Sequence, residues 1–248
     1  MSLHLLQILF KKLIIILRYP RLIQALIRSR LFASVEHAAI IGSEFSTIVD
    51  IGANKGQFTL ACRALSPASK IVSFEPLPNA AAKFAEFFSD DQSVKLYRAA
   101  IGPFQGQELM HISAKDDSSS LLPMGGEQVK AFPGTEEVGT IHVDVAPLDH
   151  FLKSSDISAP ALLKIDVQGY EYEVLLGCES LISSFDHVYC ECSFLELYTG
   201  QKLVDSISNW LYQHEFRLTG VYNISYAQSG KAIQADFMFE RTRDFLPA

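Results

Sequence analysis

From residue 46 onward, short apolar blocks alternate with longer amphipathic ones, and the alternation predicts strands and helices in turn. Blocks such as "TIVDI", "KIVSF" and "ALLKI" are short and rich in β-branched residues, which is typical of buried strands. The segments between them, such as "GQFTLACRAL" and "NAAAKFAEFF", repeat their apolar residues at helical spacing. Strands that alternate with helices predict an α/β fold, with a mostly parallel sheet covered by helices on both faces.

The end of the chain departs from this order. The last two predicted strands, "FRLTGVYNI" and "KAIQADFMFE", are separated by a short polar segment around Ser229 and Gly230. A turn of that length joins antiparallel strands, because a parallel pair needs a much longer crossover. We therefore predict an antiparallel hairpin at one edge of the sheet.

Residues 103–146 interrupt the alternation and form a predicted insertion. Its centre, "DDSSSLLPMGGEQVKAFPGTEEVGT", is rich in Ser, Gly and Pro and is longer than most connections in compact domains. Two further predicted strands, "GQELMHIS" and "IHVDV", flank this centre. The pattern predicts a functional lid, with a mobile linker as the alternative.

The first 45 residues are predicted to be a separate helical segment, before a domain that covers residues 46–248. Apolar residues of this segment fall near one helical face: Leu6, Leu9, Phe10, Leu13 and Leu17. Pro20 interrupts the pattern, which resumes over residues 22–31. The longest unbroken apolar run, residues 13–17, is far shorter than the ~20 residues of a membrane span, and no cleavage site of a secretory signal is evident. Two short amphipathic helices are expected, which either pack on the domain as a cap or lie on an anionic membrane surface or a partner.

Charge separates the same two parts of the chain. Residues 1–32 carry six of the 21 basic residues and no acidic residue, so 15 basic residues face 28 acidic ones in the rest. An acidic domain argues against nucleic acid as a partner, because phosphate binding needs a basic surface. The basic charge of residues 1–32 is the observation behind the second of these alternatives, peripheral membrane contact.

Composition bounds the class of protein and its compartment. Apolar residues make up 48% of the 248 residues and charged residues 20%, which is typical of a globular chain. The four cysteines are scattered without the spacing of a zinc site: Cys62, Cys178, Cys190 and Cys192. They predict free, buried thiols in a reducing, cytoplasmic compartment.

The segment "IVDIGANKGQF", residues 48–58, places a glycine turn between the first strand and the first helix of the domain. In open α/β sheets, ligands bind beyond the carboxyl ends of the strands, so this turn is the predicted binding site. Gly52 permits a tight turn without a side chain, and Gly56 opens the helix and lets it pack closely. Asp50 adds a negative charge directly before the turn, which suits a cationic ligand.

Asn54 separates two kinds of nucleotide ligand. It occupies the position of the middle glycine in the dinucleotide fingerprint, where glycine lets the backbone approach a pyrophosphate. A ligand without pyrophosphate is favoured, and S-adenosylmethionine carries a sulfonium and an ammonium group that suit an acidic turn. Glu75 ends the second strand 23 positions after Gly52, where a carboxylate accepts hydrogen bonds from ribose hydroxyls. A nicotinamide-dependent oxidoreductase is the alternative, which binding of NAD would favour.

Several segments follow one another in a characteristic order over residues 48–240: "VDIGANKGQFTL", "FEPLPNA", "SSSLL", "VAPLDHF", "LLKIDVQGYEYEVLLG", "ECSFLELYTGQ" and "QADFMFE". Together they resemble the FkbM family of S-adenosylmethionine-dependent methyltransferases. The resemblance implies the seven-stranded, Rossmann-like class I methyltransferase fold. It also implies O-methylation of a hydroxyl on a small molecule or a glycan- or lipid-linked acceptor, such as a sugar, glycolipid or polyketide. The chain departs from the family at Gln168, where many members carry Glu, so this position is not a catalytic base here.

The residues and the resemblance together predict a cofactor-binding set: Asp50, Gly52, Asn54, Gly56, Phe58, Glu75, Pro76, Ala100, Ser119 and Asp166. Ser119 belongs to the "SSSLL" segment of the insertion, which is expected to close over the cofactor and exclude water. A non-catalytic module that keeps this pocket and has lost its acceptor site is a further alternative, which Gln168 leaves open.

Three residues are candidate catalytic groups. Asp166 follows the fourth strand and Glu191 lies in the fifth, so both are expected near the cofactor. Each is a candidate base for the acceptor hydroxyl, whose proton must leave as the O–C bond forms. A divalent cation that bridges Asp166 and Glu191 is an alternative, although two carboxylates do not establish a metal site. His142 is the third candidate, because histidine is a common base and this residue lies beside the predicted lid.

Overall fold

A computed structural model describes residues 31–42 and 45–242, the side chain of Asp116 excepted, and six isolated positions before them: Ile16, Arg18, Tyr19, Leu22, Ile23 and Ile27. Its helices are α1 (Ala38–Ile41), α2 (Gln57–Leu65), α3 (Pro78–Phe87), α4 (Gly126–Ala131), α5 (Glu171–Cys178) and α6 (Val204–Gln213). Its strands are β1 (Thr47–Ile51), β2 (Lys70–Phe74), β3 (Val94–Tyr97), β4 (Ala100–Ile101), β5 (Gly106–Ser113), β6 (Glu137–Ala146), β7 (Ala161–Ile165), β8 (His187–Ser193), β9 (Phe216–Tyr226) and β10 (Ala232–Arg241).

Seven strands form the main sheet in the order β3-β2-β1-β7-β8-β10-β9. β1 pairs in parallel with β2 and β7, whereas β10 runs antiparallel to its neighbours β8 and β9. This confirms the predicted Rossmann-like sheet and its antiparallel hairpin at one edge. The strand order changes direction between β1 and β7, and the carboxyl ends of such strands open a ligand-binding cleft.

The central strands explain why the chain shows continuous apolar blocks. β1 and β7 are buried along their whole length, because helices cover both faces of a parallel sheet. Each contains one charged residue, and the two residues, Asp50 and Lys164, are direct partners in the register of these strands. The sheet therefore carries a charge pair inside its most buried part.

The predicted insertion, residues 103–146, supplies two strands of a second sheet of three strands, in the order β4-β6-β5, and β4 directly precedes the insertion. β5 and β6 are the two predicted flanking strands, and they pair antiparallel. The segment between them contains α4 and is attached to β5, because Ser120 and His111 exchange two backbone hydrogen bonds of 2.8 and 3.1 Å. The insertion thus has secondary structure of its own and lies beside the cleft.

Part of the N-terminal segment packs against the domain. Leu22 and Leu31 are buried in an apolar cluster with Leu60, Phe84 and Phe88, which belong to or follow α2 and α3. The five apolar residues predicted to form the first helical face, Leu6, Leu9, Phe10, Leu13 and Leu17, lie outside the described residues. None of the helices in the described part of the chain is long and apolar enough to cross a bilayer.

Candidate active site

A cleft of about 470 Å³ opens at the carboxyl ends of the central strands, between the main sheet and the insertion. Most of the predicted cofactor positions line it: Gly52, Asn54, Phe58, Glu75, Pro76, Ala100, Ser119 and Asp166. These positions come from five separate segments of the chain, so the fold brings together what the sequence predicts one by one. Asp50 and Gly56 do not belong to the lining.

Glu75 is the acidic residue at the end of β2, and it is 5% exposed. Its carboxylate accepts hydrogen bonds from the backbone N–H groups of Asn54 and Leu77, each at 2.8 Å. Burial raises the pKa of Glu75 to about 7, against the effect of these two N–H groups. The carboxylate is held in a fixed orientation, and each oxygen retains a lone pair for a further donor.

Asp50 is fully buried below the cleft, which corrects its prediction as a cofactor ligand. Its Oδ2 atom accepts a hydrogen bond of 2.9 Å from the Thr59 hydroxyl. Its Oδ1 atom lies 3.3 Å from the Lys164 ammonium, which is also 3.4 Å from the Asp166 carboxylate. A lysine inside the protein, rather than a ligand, therefore neutralises the charge before the turn.

Asp166 is the carboxylate that joins this charge pair to the cleft. Burial opposes its ionisation, but Lys164 and the Gln168 amide outweigh burial and hold the pKa of Asp166 below its usual range. Burial also opposes the charge of Lys164, but the carboxylates of Asp166 and Asp50 hold the pKa of Lys164 above its usual range. A carboxylate that stays ionised suits a cationic group and is a poor acceptor of a proton.

The two glycines of the turn are required by packing inside the protein. Gly52 has a φ of +82°, and a Cβ atom at this position would overlap the carbonyl oxygen of Asp166. Gly56 has a φ of +94°, and a Cβ atom there would meet the rings of Phe84 and Phe88. Gly56 lets α2 begin directly against α3, which is the close packing that the sequence predicts, and it is not among the residues that line the cleft.

Gln168 lies between the two candidate catalytic carboxylates. Its Nε2 atom donates to Asp166 Oδ1 and to Glu191 Oε2, both at 2.9 Å, while its Oε1 atom accepts from the Tyr198 hydroxyl at 3.1 Å. The Nε2 atom of Gln234 donates to the other oxygen of Glu191 at 2.7 Å. Asp166 and Glu191 thus converge, and an amide group occupies the space between them.

This arrangement does not fit a bridging divalent cation. The described residues contain no group of three or more His, Cys, Asp or Glu side chains placed to hold a metal ion. Gln168 presents N–H donors to Asp166 and Glu191, whereas a hard cation between them would need oxygen ligands. The amide orientation follows from the ionised Asp166 carboxylate, which accepts from Nε2. At the opposite end, the single proton of the Tyr198 hydroxyl is shared between Gln168 Oε1 at 3.1 Å and the Ser118 carbonyl oxygen at 3.0 Å.

Glu191 faces the cleft, and its chain neighbours Cys190 and Cys192 face the apolar core. Burial, reinforced by the nearby charges of Asp166 and Asp236, raises the pKa of Glu191 well above its usual range. The two amide donors from Gln168 and Gln234 compensate the carboxylate when it is ionised.

All four cysteines are buried and free, as the sequence predicts.

A second polar group lies beside Glu191, because Asp236 is its direct partner in the register of β8 and β10. Asp236 Oδ2 accepts from the Tyr189 hydroxyl at 3.0 Å and from the Asn223 side-chain amide at 2.7 Å. His37, which ends the 3₁₀ turn Val35–His37, places its Nδ1 atom 2.9 Å from the Tyr189 oxygen. His37, Asn223 and Asp236 all line the cleft.

The sequence predictions did not include this group. The one visible signal of this group in the sequence is Asp236, an acidic residue inside the apolar strand "QADFMFE". Lys164, a basic residue within "ALLKI", is a similar signal of the buried charge pair with Asp50. Nothing in the local sequence marks His37, because its position depends on how the N-terminal segment folds back over β8 and β10.

His142 does not reach the cleft, which corrects its prediction as a catalytic residue. It is exposed on β6, opposite Leu109 of β5. Side chains alternate between the two faces of a strand, and the buried face of β6 carries Val143 and Val145. His142 therefore points to the outer face of the second sheet.

The sequence profile of the Methyltransferase FkbM domain matches residues 50–218. The chain belongs to the FkbM methyltransferase family. The matched range contains the glycine turn, Glu75, the insertion, and Gln168 with its partners Asp166, Glu191 and Tyr198. It ends before Gln234 and Asp236. The prediction of a methyltransferase is confirmed, and the oxidoreductase alternative is not supported.

This FkbM methyltransferase has relatives among characterised proteins and solved structures. It is 26% identical over 202 residues to the 2-O-methyltransferase NoeI of Sinorhizobium fredii, with 79% of each chain covered. It is 29% identical over 152 residues to Methyltransferase 1 of Beauveria bassiana, with 54% of this chain and 59% of that protein covered. A putative methyltransferase from Streptococcus mutans in complex with SAH is similar at 12% identity and a TM-score of 0.44, with 82% of this chain and 94% of that chain covered. A putative tRNA (m1A22) methyltransferase from Streptococcus pneumoniae in complex with S-adenosyl-L-methionine is similar at 9% identity and a TM-score of 0.48, with 83% and 72% covered.

Proposed function

We propose that the protein transfers a methyl group from S-adenosylmethionine to a hydroxyl of a polyhydroxylated acceptor, such as a sugar, a glycolipid or a polyketide-type molecule. One observation carries the proposal. A single cleft joins a part marked by Glu75 to a part lined by carboxylates and amides, and Asp166 lies between the two parts. The first part suits a nucleoside and the second suits hydroxyl groups.

The unpaired groups of the cleft support the cofactor. Asn54 Oδ1, Gln57 Oε1 and Gln128 Oε1 are buried hydrogen-bond acceptors without a partner among the described residues, and all three side chains line the cleft. A buried acceptor that lacks a donor costs about 1–3 kcal/mol. S-adenosylmethionine offers matching donors in its ammonium group, its ribose hydroxyls and its adenine amino group.

Three carboxylates of the cleft have proposed tasks. Glu75 accepts hydrogen bonds from the ribose hydroxyls, and the ionised Asp166 attracts the ammonium group. When bound, S-adenosylmethionine supplies a methyl group on a positively charged sulfur. Glu191 accepts a hydrogen bond from the acceptor, and Gln168 keeps Glu191 and Asp166 apart at a fixed spacing.

The acceptor part is lined by side chains that form hydrogen bonds: His37, Gln168, Glu191, Asn223, Gln234 and Asp236. Alternating hydroxyl groups of a sugar ring match such a surface, because each hydroxyl both donates and accepts. The name of the relative from Sinorhizobium fredii, a 2-O-methyltransferase, also favours an oxygen as the methyl acceptor.

Thermal unfolding with S-adenosylhomocysteine, and separately with NAD, tests the cofactor. A ligand at 100 times its dissociation constant stabilises by about 2.7 kcal/mol, and each kcal/mol raises the midpoint by roughly 2–4 °C for a chain of this size. We expect S-adenosylhomocysteine to raise the midpoint by roughly 5–11 °C and NAD to leave it unchanged. A rise with NAD alone would contradict the proposal.

Methyl transfer is then measured with methyl-labelled S-adenosylmethionine and a panel of methyl glycosides. Labelled product is expected with at least one glycoside, and periodate resistance of the product identifies the methylated hydroxyl. Tight S-adenosylhomocysteine binding without transfer to the panel or to a cell extract would favour the non-catalytic alternative.

Replacing Glu75 by Gln is expected to raise the dissociation constant of S-adenosylhomocysteine about 10- to 100-fold, because hydrogen bonds to a charged group contribute about 1.5–3 kcal/mol. The pKa of Glu75 is about 7 in the free protein. Ribose donors favour the ionised form of Glu75, so binding of S-adenosylhomocysteine lowers this pKa. The affinity therefore falls as the pH drops below 7, by up to about tenfold per pH unit. Calorimetric titrations from pH 5.5 to 8 measure this slope.

The control is Glu86→Gln, a substitution on the exposed side of α3. It is expected to keep both the affinity and the pH slope of the wild type, whereas Glu75→Gln loses the slope. An equal slope in both variants would show that Glu75 does not contact the ribose.

A further inference from the structure

We propose that His37 is the general base of the methyl transfer and that its Nε2 atom takes the proton of the acceptor hydroxyl. The inference rests on the proposed function, because it concerns the acceptor part of the same cleft. His37 lies outside residues 50–218, the range that matches the family. It therefore gives a catalytic task to the N-terminal segment, for which the sequence predicts only a cap or a membrane contact.

The hydrogen bonds of Tyr189 determine which nitrogen of His37 is free. The Tyr189 hydroxyl has one proton, and it lies 3.0 Å from the Asp236 carboxylate, a group that accepts when ionised. The Tyr189 oxygen then accepts from Nδ1 of His37 at 2.9 Å, and Asp236 itself is 3.5 Å from the same nitrogen. The Asn223 side-chain nitrogen lies 3.4 Å from the same Nδ1 atom, but its short hydrogen bond, at 2.7 Å, goes to Asp236. The Tyr189 oxygen and Asp236 place the imidazole proton on Nδ1, so Nε2 carries the lone pair.

Aromatic packing holds the imidazole ring of His37 at the cleft. Its centroid lies 5.4 Å from that of Phe58 and 5.5 Å from that of Tyr189, both in edge-to-face contact. The side chain is 14% exposed and, like that of Phe58, lines the cleft. A ring oriented by a hydroxyl and a carboxylate on one nitrogen, with the other nitrogen available, is the arrangement of a catalytic histidine.

Burial keeps the ring of His37 neutral, and the carboxylates around it stabilise the ring once it is protonated. Burial lowers the pKa of His37, against Asp236 of β10 and Glu36 of its own turn, which raise it. Lys164 of β7 lowers this pKa, and Asp166, directly after β7, raises it. Burial also raises the pKa of Tyr189 on β8, so its hydroxyl stays protonated, and Asn223 on β9 is uncharged.

The two other candidate bases differ in how well they compete with His37. Asp166 is paired with Lys164 and stays ionised, so it is a poor acceptor of a proton. Glu191 is the stronger competitor, because each of its oxygens accepts one amide N–H group, from Gln168 or Gln234, and retains a lone pair. In the proposed step the hydroxyl oxygen forms the O–C bond, the C–S electron pair stays on sulfur, and the hydroxyl proton moves to Nε2. The imidazolium is stabilised by Tyr189 and Asp236 and later releases the proton to water.

A first test needs no acceptor. Side-chain ¹⁵N NMR spectra of the protein with S-adenosylhomocysteine, compared with those of His37→Gln, identify the two nitrogen signals of His37. We expect a protonated Nδ1 and an unprotonated Nε2 at pH 7.5, and a loss of this preference in Asp236→Asn. A proton on Nε2 in the wild type would overturn the proposal, whatever the protein methylates.

The second test uses a methyl glycoside that the wild type converts. His37→Gln is expected to lower kcat about 100-fold or more, to leave the dissociation constant of S-adenosylhomocysteine within about twofold, and to remove the acidic limb of the pH profile of kcat/KM. Added imidazole is expected to restore part of the activity of His37→Ala. His142→Gln, an exposed histidine outside the cleft, is the matched control and keeps the wild-type profile.

Glu191→Gln separates the two candidate bases. It is expected to retain the acidic limb, because the proton goes to His37. An acidic limb that persists in His37→Gln and disappears in Glu191→Gln would overturn the inference and assign the base to Glu191. Failure of the wild type to bind S-adenosylhomocysteine would instead contradict the proposed function, while the NMR test would still decide the tautomer.

Discussion

Replacing Lys164 by Met is expected to destabilise the protein by about 3–5 kcal/mol, because it leaves the charge of Asp50 buried without a partner. Asp50 has no exposed surface, and Lys164 is the ammonium group 3.3 Å from its Oδ1 atom. Met has a similar volume, so the change removes the charge with little change in packing. Urea unfolding followed by circular dichroism measures the loss.

Two further variants separate charge from packing at this position. Lys70→Met, on the exposed end of β2, is expected to change the free energy of unfolding by less than about 1 kcal/mol. Adding Asp50→Asn to Lys164→Met is expected to recover much of the loss, because it removes the uncompensated charge. A loss below about 1 kcal/mol for Lys164→Met alone would show that Lys164 does not stabilise the buried carboxylate of Asp50.

Replacing Gly52 by Ala is expected to lower both the stability and the cofactor affinity. The new Cβ atom would overlap the Asp166 carbonyl oxygen, and the residue would keep a φ of +82° that L-residues rarely adopt. Overpacking costs about 1–3 kcal/mol and the backbone strain about 1–2 kcal/mol more. Because the turn and the end of β7 must move apart, the dissociation constant of S-adenosylhomocysteine is expected to rise at least about tenfold.

Gly230→Ala is the matched control for this prediction. Gly230 lies in the β9–β10 turn with a φ of +81°, and a Cβ atom there would have no heavy atom within 4 Å. Gly230→Ala is expected to lose only the stability that the backbone strain costs, and to keep the wild-type affinity for S-adenosylhomocysteine. Equal losses of stability in Gly52→Ala and Gly230→Ala would show that the close approach to Asp166 is unimportant.

The sheet and the cofactor part of the cleft follow from local sequence patterns. Short apolar blocks gave the strands, and a rule about strand ends placed Gly52, Glu75 and Asp166 at one edge. The same local patterns predicted that Asp50 binds the cofactor. They could not show its partner in the fold, Lys164, because Lys164 lies on a strand that is distant in the sequence. Periodicity predicts which face a residue occupies, and it carries no information on which strand is the neighbour.

The group around His37 was not predicted, although Glu191 beside it was, because the group joins three distant segments. His37, Tyr189 and Asp236 come from the N-terminal turn, β8 and β10. Of the three, only Asp236 belongs to a segment that resembles the family, "QADFMFE", and that resemblance does not tell which residues Asp236 meets. His142 shows the opposite case. The alternation in "IHVDV" already placed His142 on the face away from the two valines, and the preference for histidine as a base outweighed that signal.

Gln168 has the same shape as the glutamate that many members of the family carry at this position. With Glu, three carboxylates would meet at the point where Gln168 now donates to Asp166 and Glu191, and their repulsion would require a shared proton or a cation. The codons for Gln and Glu differ by one base. The identity of one atom, nitrogen or oxygen at the end of this side chain, thus decides whether the site contains its own hydrogen-bond donor between the two carboxylates or depends on a proton or cation from solution.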